Sequence, residues 1–305
     1  MANIADESTT FIRTIVKNAL GKAKAKDSTA IELDEALQSL EEGSYESAVQ
    51  RLDKVIEQDR SGYFAYVSWI GIGIAQYSLG HYEDALKALD QAIKSEPKPI
   101  EALSIKGYML AMLQRFAEAL ESFDKALDLS PEDSFPFALN GKGYVLIRLN
   151  RQDEALQVFD KALKIEPKNA GILNNKGAAL YSLGRYDDAI DILNEGIKIE
   201  PNLSEAWYNL GCVFDALGRR EEAIESYSKA TEINPRYIEA WNNKGVALSR
   251  LTHYDEAVKA FDRAIEIDSS FASAWYNKGT ALQILRRDEE ALAALSKARD
   301  LGYSG

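Results

Sequence analysis

A glycine returns at a nearly fixed interval along most of this chain, at Gly73, Gly107, Gly143, Gly177, Gly211, Gly245 and Gly279. The intervals are 34 residues except for one of 36. A period of this length marks tandem supersecondary units, each unable to bury its apolar face alone. Other residues keep step. Twelve after each glycine stands an alanine (Ala85, Ala119, Ala155, Ala189, Ala223, Ala257, Ala291), and sixteen after it a bulky apolar residue (Leu89, Phe123, Phe159, Leu193, Tyr227, Phe261, Leu295). A small residue follows three later, and a proline closes five copies: Pro97, Pro131, Pro167, Pro201 and Pro235. Tryptophan precedes the glycine by four at Trp69, Trp207, Trp241 and Trp275.

Glycine inside a helix costs about 1 kcal/mol relative to alanine, so seven of them at one helical position need a packing reason. The expectation is that two helices cross closely, the glycine of one meeting the alanine twelve residues on in the other. Gly80, Asn150, Gly184 and Gly218 mark the turn between them, since glycine and asparagine tolerate the left-handed residue that ends a helix. The proline closes the second helix and suits the start of the next.

With these offsets the chain resembles the tetratricopeptide repeat family. The resemblance implies an all-α fold, a right-handed superhelical solenoid of antiparallel helix pairs whose first helices line a concave groove. Eight copies are read at 29–62, 66–99, 100–133, 136–169, 170–203, 204–237, 238–271 and 272–305, with short insertions before the second and fourth. The first is degenerate: Ala36 replaces the glycine, Glu32 the tryptophan and Arg60 the proline. Residues 1–28 lie outside the repeat. There Phe11, Ile12, Ile15, Val16, Ala19 and Leu20 form one helical stripe ahead of a lysine-rich linker. That stripe reads either as a cap on the array or as a docking helix. At the other end Leu292, Leu295 and Leu301 read as an uncovered face, which fits either a homodimer contact or a piece of a longer chain.

Composition narrows the function. A net charge of -12 disfavours nucleic acid and anionic membranes as general partners. The single cysteine, Cys212, fits a reducing, cytoplasmic setting, and no apolar run reaches the roughly 20 residues of a membrane span. His81 and His253 occupy the turn slot that holds arginine in other copies, and the acidic pairs early in the second helices favour the helix dipole. No phosphate loop or metal-ligand spacing is present. The reading is therefore non-catalytic, without cofactor or metal.

The resemblance also supplies candidate groove residues. The sixth position of the last four copies reads Asn175, Asn209, Asn243 and Asn277, like the peptide-holding asparagines in the repeat arm of O-linked N-acetylglucosamine transferases. An amide offers donors and an acceptor to a peptide backbone whatever its side chains. The alternative is that asparagine is a consensus residue of the repeat. The fifth position gives Asn174, Tyr208, Asn242 and Tyr276; Tyr108, Tyr144 and Tyr181 join from the ninth and twelfth positions, with Arg148, Arg250 and Asp215 as isolated charges. The recurring Lys106, Lys142, Lys176, Lys244 and Lys278 are expected to snorkel along their helices. No copy has lysine at the fifth position, which argues against the lysine and asparagine set that grips acidic chaperone tails. The expected function is a scaffold holding an extended segment of a partner protein. The alternatives are a self-assembling module, dimerising through the C-terminal end or N-terminal helix, and the substrate arm of a separate glycosyltransferase.

Overall fold

The computed structural model describes residues 28–59, 62–130 and 135–303; the amphipathic stripe of residues 11–20 lies outside them. The chain divides into two compact units, Met1–Ile165 and Glu166–Gly305. The first holds α1 (Ser28–Glu41), α2 (Tyr45–Gln58), α3 (Tyr63–Ser78), α4 (Tyr82–Ser95), α5 (Ile100–Met112), α6 (Phe116–Leu129), α7 (Pro136–Arg148) and α8 (Gln152–Ile165). The second holds α9 (Ala170–Ser182), α10 (Tyr186–Ile199), α11 (Ser204–Ala216), α12 (Arg220–Ile233), α13 (Ile238–Arg250), α14 (Tyr254–Ile267), α15 (Ala272–Ile284) and α16 (Asp288–Asp300). The fold is an all-α helical-repeat solenoid, each unit a stack of helix pairs in which a pair packs on itself and on the next.

The pairs are pinned by the bulky residue of the second helix. Leu89, Phe123, Phe159, Leu193, Tyr227 and Phe261 are at most 2% exposed, and burying each from water contributes about 1.5–3 kcal/mol. Each sits against the repeating glycine. A Cβ on Gly143 would lie 2.4 Å from the Phe159 ring, one on Gly211 2.7 Å from Tyr227, and one on Gly245 2.5 Å from Phe261. The expectation that the glycine meets the alanine twelve residues on holds at Gly73, where an added Cβ would lie 3.3 Å from the Ala85 carbonyl, but the nearest atoms belong to the side chain sixteen residues on. The notch is filled by the side chain sixteen residues on, because a ring gains more from a deep notch than a methyl does.

The turn inside each pair puts its fifteenth residue at positive φ. Gly80, Gly184 and Gly218 do this without strain, but Gln114, Asn150, Thr252 and Arg286 do it with a side chain. In each turn the next N–H closes on the carbonyl five residues back, as in His253 N to Leu248 O at 3.0 Å, the Schellman arrangement. The arginine that follows in most copies reaches the acid three residues on: Arg115 to Glu118 (2.7 Å), Arg151 to Glu154 (2.6 Å), Arg287 to Glu290 (2.8 Å). These exposed pairs hold the three glutamates below the usual carboxylate range through that hydrogen bond, and such pairs add little stability.

Between copies the tryptophan does the joining. Trp207 Nε1 donates to Pro201 O at 2.9 Å, Trp241 to Pro235 O at 3.0 Å and Trp275 to Ser269 O at 3.0 Å. The lysines are engaged too. Lys106, Lys142 and Lys278 each meet an aspartate of the preceding second helix, Asp90, Asp124 and Asp262, at 2.6 Å; Lys244 lies over its own Trp241 ring at 5.2 Å. Ion pairing, more than snorkelling alone, accounts for the first three. In the insertion before the second copy, Tyr63 to Ala65 extend α3 by nearly one turn.

Two outcomes follow. Gly245→Ala should lower stability by about 1–3 kcal/mol through overpacking a rigid ring, whereas Gly71→Ala, whose added Cβ meets methyls of Leu52 and Leu40, the nearest at 2.9 Å, should stay within about 1 kcal/mol of neutral; urea denaturation of both variants checks this. Thr252→Gly should raise the melting temperature in calorimetry, gaining about 1 kcal/mol by relieving a β-branched residue at φ 66°.

Candidate functional site

In the second unit the first helices α9, α11, α13 and α15 carry a polar seam on the face formed by their fifth and sixth positions. The neighbouring copies are tied through it. Asn209 Nδ2 donates to Asn174 Oδ1 at 2.7 Å, Asn243 Nδ2 to the Tyr208 hydroxyl at 3.2 Å, and Asn277 Nδ2 to Asn242 Oδ1 at 3.0 Å. The rule is one bond from a sixth-position asparagine to the fifth-position group of the preceding copy. Within a copy, Asn174 Nδ2 donates to Asn175 Oδ1 (3.4 Å) and Asn242 Nδ2 to Asn243 Oδ1 (3.3 Å). Asn174 and Asn242, each 8% exposed, thus form the floor, while Asn175, Asn209, Asn243 and Asn277 are half-buried above it.

Tyr208 is the centre of an aromatic cluster, with Tyr237 at 4.9 Å and Tyr227 at 5.9 Å between ring centroids. Beneath it the Tyr227 hydroxyl donates to Cys212 Sγ at 3.6 Å. Burial, outweighing hydrogen bonds from Tyr227, Tyr208 and Asn243, pushes the Cys212 thiol up from its ordinary range, so it stays protonated and a poor nucleophile near neutral pH. Burial is also the first cause that raises the Tyr208 and Tyr227 phenols. Two repeats on, Tyr276 stacks on Tyr303 at 4.5 Å. Tyr181, 38% exposed, leans on Tyr186 at 5.9 Å.

The charges expected to be isolated are not. Arg250 Nη1 is ion-paired and hydrogen-bonded to Asp215 Oδ2 of the preceding copy, leaving Asp215 Oδ1 buried without a donor among the described residues. In the first unit Arg148 Nη1 donates to the Tyr144 hydroxyl at 3.0 Å and its guanidinium covers Phe116 at 4.8 Å. Tyr108 is not a surface residue: it is 4% exposed, packs edge-on against Phe123 and donates its hydroxyl to Phe137 O at 3.1 Å. Sequence reasoning missed Tyr237 and Tyr303, which stand outside the positions carried over from the resemblance. The signal available was an aromatic residue after the second helix of a copy whose first helix bears a tyrosine. Among the described residues no group of His, Cys, Asp and Glu is placed to hold a metal ion, and no helix is long and apolar enough to cross a membrane.

Models of the tetratricopeptide repeat match residues 70–134, 146–211, 204–237, 238–271 and 272–301, well over half of the chain. The chain belongs to the tetratricopeptide repeat family. Residues 35–98 are also similar to a model of anaphase-promoting complex subunit 5. Among solved structures, a tetratricopeptide repeat protein from Parabacteroides merdae is 19% identical with a TM-score of 0.66, over 89% of this chain and 99% of that one. Pseudomonas aeruginosa pilF is 21% identical with a TM-score of 0.59, over 68% and 93%. Both likenesses concern the fold alone. A comparison with curated proteins finds no match. The tetratricopeptide repeat is generally a non-catalytic interaction fold whose members bind protein or peptide partners, and this chain is a protein-interaction scaffold.

Because burial raises the pKa of Cys212, iodoacetamide at pH 8 should alkylate it at least about tenfold more slowly in the folded chain than in urea; mass spectrometry of timed samples measures this.

Proposed function

We propose that the tetratricopeptide face of the second unit holds an extended segment of a partner protein, with the chain acting as a non-catalytic adaptor in a reducing compartment. The observation that carries this reading is the use each sixth-position asparagine makes of its amide. One N–H of Asn209, Asn243 and Asn277 ties the preceding copy; the second N–H of Asn209 and Asn277 remains for a ligand, while Asn243 Nδ2 also reaches Cys212 Sγ at 4.0 Å. The Oδ1 atoms divide into two sorts. Those of Asn175 and Asn243 accept from their neighbours, while no side-chain donor to the Oδ1 of Asn209 or Asn277 is found among the described residues. A backbone that needs both a donor and an acceptor therefore meets a complete amide at every second copy. Half-buried tyrosines between these points add apolar area with a polar tip. The asparagines are thus both repeat ties and ligand groups.

The test is a synthetic array of twelve-residue peptides probed with the labelled chain and with the Asn175, Asn209, Asn243 and Asn277→Ala variant, after circular dichroism shows equal helicity. At about 0.5–1.5 kcal/mol per hydrogen bond, the variant should bind retained peptides about 30-fold more weakly or worse. Equal binding would return the asparagines to a purely structural role and shift attention to self-assembly.

A further inference from the structure

The helix α16 (Asp288–Asp300) departs from the other second helices along one face. The twenty-first position of a copy repeats a branched apolar residue that the stack covers. Leu86 and Val258 there are each 5% exposed, the latter in one cluster with Leu282 of the next copy, and Leu120, Ile190 and Ile224 are half-buried. Leu292, at the same position of α16, is 71% exposed. Leu295, which enters the Gly279 notch, is half-buried, whereas its counterparts are at most 2% exposed. Beside Leu292 stands Ala293, exposed, where the other copies carry a charged or amide side chain such as Lys87, Glu121 or Lys259.

The charges of α16 lie at its two ends. Asp288, Glu289 and Glu290 open the helix, and Lys297 and Arg299 close it. Glu290 is paired with Arg287, but Asp288, Glu289 and Arg299 form no ion pair among the described residues. At helical spacing Asp288, Leu292, Leu295 and Arg299 share one stripe, three or four residues apart. Arg299 holds the twenty-eighth position, uncharged in every earlier copy, where Leu127 and Thr231 are 6% and 4% exposed. A first helix packed here as at the internal joints would bury that guanidinium, at a cost only a matching acid offsets. Most first helices bring a lysine at the seventh position instead; α1 brings Glu35, but Glu35 and Glu32 are already paired with Arg51. The face therefore suits an occupant other than one more first helix.

We propose that α16 is the contact face of a symmetric dimer. Two copies lay this helix antiparallel, with Leu292 of each against Leu295 of the other, and Asp288 and Glu289 of each beside Arg299 of the other. The pairing of Leu292 with Leu295 and that of Asp288 with Arg299 share one midpoint along the helix, so a single two-fold axis satisfies both, as an isologous interface requires. Ala293 and Ser296, small and exposed, let the two helices approach closely. A helix of 13 residues is only about 20 Å long, too short to bury the roughly 1,200–2,000 Å² of a stable interface. The dimer is therefore weak and forms as concentration rises. No residue of the asparagine seam takes part, so the inference stands apart from the groove reading.

Sedimentation equilibrium of the full chain over a concentration series tests this. The mass should rise from one chain to two and stop there. Leu292→Asp, with helicity confirmed by circular dichroism, should move the midpoint to at least about tenfold higher concentration. Arg299→Glu should act in the same direction, and adding Asp288→Lys and Glu289→Lys to it should restore association, a recovery that misfolding would not give. Ile31→Asp, at a residue of α1 that is 57% exposed, should change nothing. A mass of one chain at every concentration would overturn the proposal, as would a charge exchange that restores nothing. Growth past two chains, lost in Ile31→Asp, would replace it with head-to-tail stacking. Loss of association in Phe11→Asp with Ile15→Asp would overturn it in favour of the amphipathic stripe as the occupant.

Discussion

Everything else in this molecule depends on a ring or branched side chain entering the space left by a missing Cβ. With glycine on the first helix, the second can lay Phe159, Tyr227 or Phe261 against bare backbone. That contact fixes the depth at which the two helices meet and therefore the angle at which the pair presents its outer faces. The helix pays about 1 kcal/mol in propensity for each glycine and recovers more through the buried ring. Because the same exchange recurs from copy to copy, the fifth and sixth positions of successive first helices come into bonding range. The asparagine seam exists only because the notch sets that spacing.

The seam changes what an asparagine ladder can be expected to do. A row of free amides would be a weak, indifferent grip. Here the amides of Asn209, Asn243 and Asn277 are each held by a bond to the copy before, so their rotamers are fixed before any ligand arrives, and little side-chain entropy remains to be lost on binding. Tyr208 joins the same network by accepting from Asn243. A surface that is already hydrogen-bonded within itself is stiff, and a stiff surface discriminates between ligands better than a loose one.

Much of this was legible in the sequence. The period, the glycine, the alanine, the proline and the turn residues name helix pairs and place the first helix of each copy, since they reflect contacts inside a copy or with its neighbour. What was illegible involves side chains whose partners stand about 35 residues away without a fixed residue type. Arg250 and Asp215 look like separate charges until two helices bring them together, and Tyr108 looks like a surface tyrosine until Phe137 O is seen above it. That the bulky residue lies nearer the glycine than the alanine does was hidden for a related reason: both recur at fixed offsets, and spacing alone does not say which of two neighbours fills a hole.

The tryptophan bonds add something of a different kind. Trp207, Trp241 and Trp275 each spend their single N–H on the last turn of the copy before, so each indole sits astride one junction of the second unit. Indole emission shifts when that bond is exchanged for water. The unit therefore carries three native optical gauges, one at each joint between its copies, and a chain that keeps only one of its tryptophans would report fraying at that joint alone.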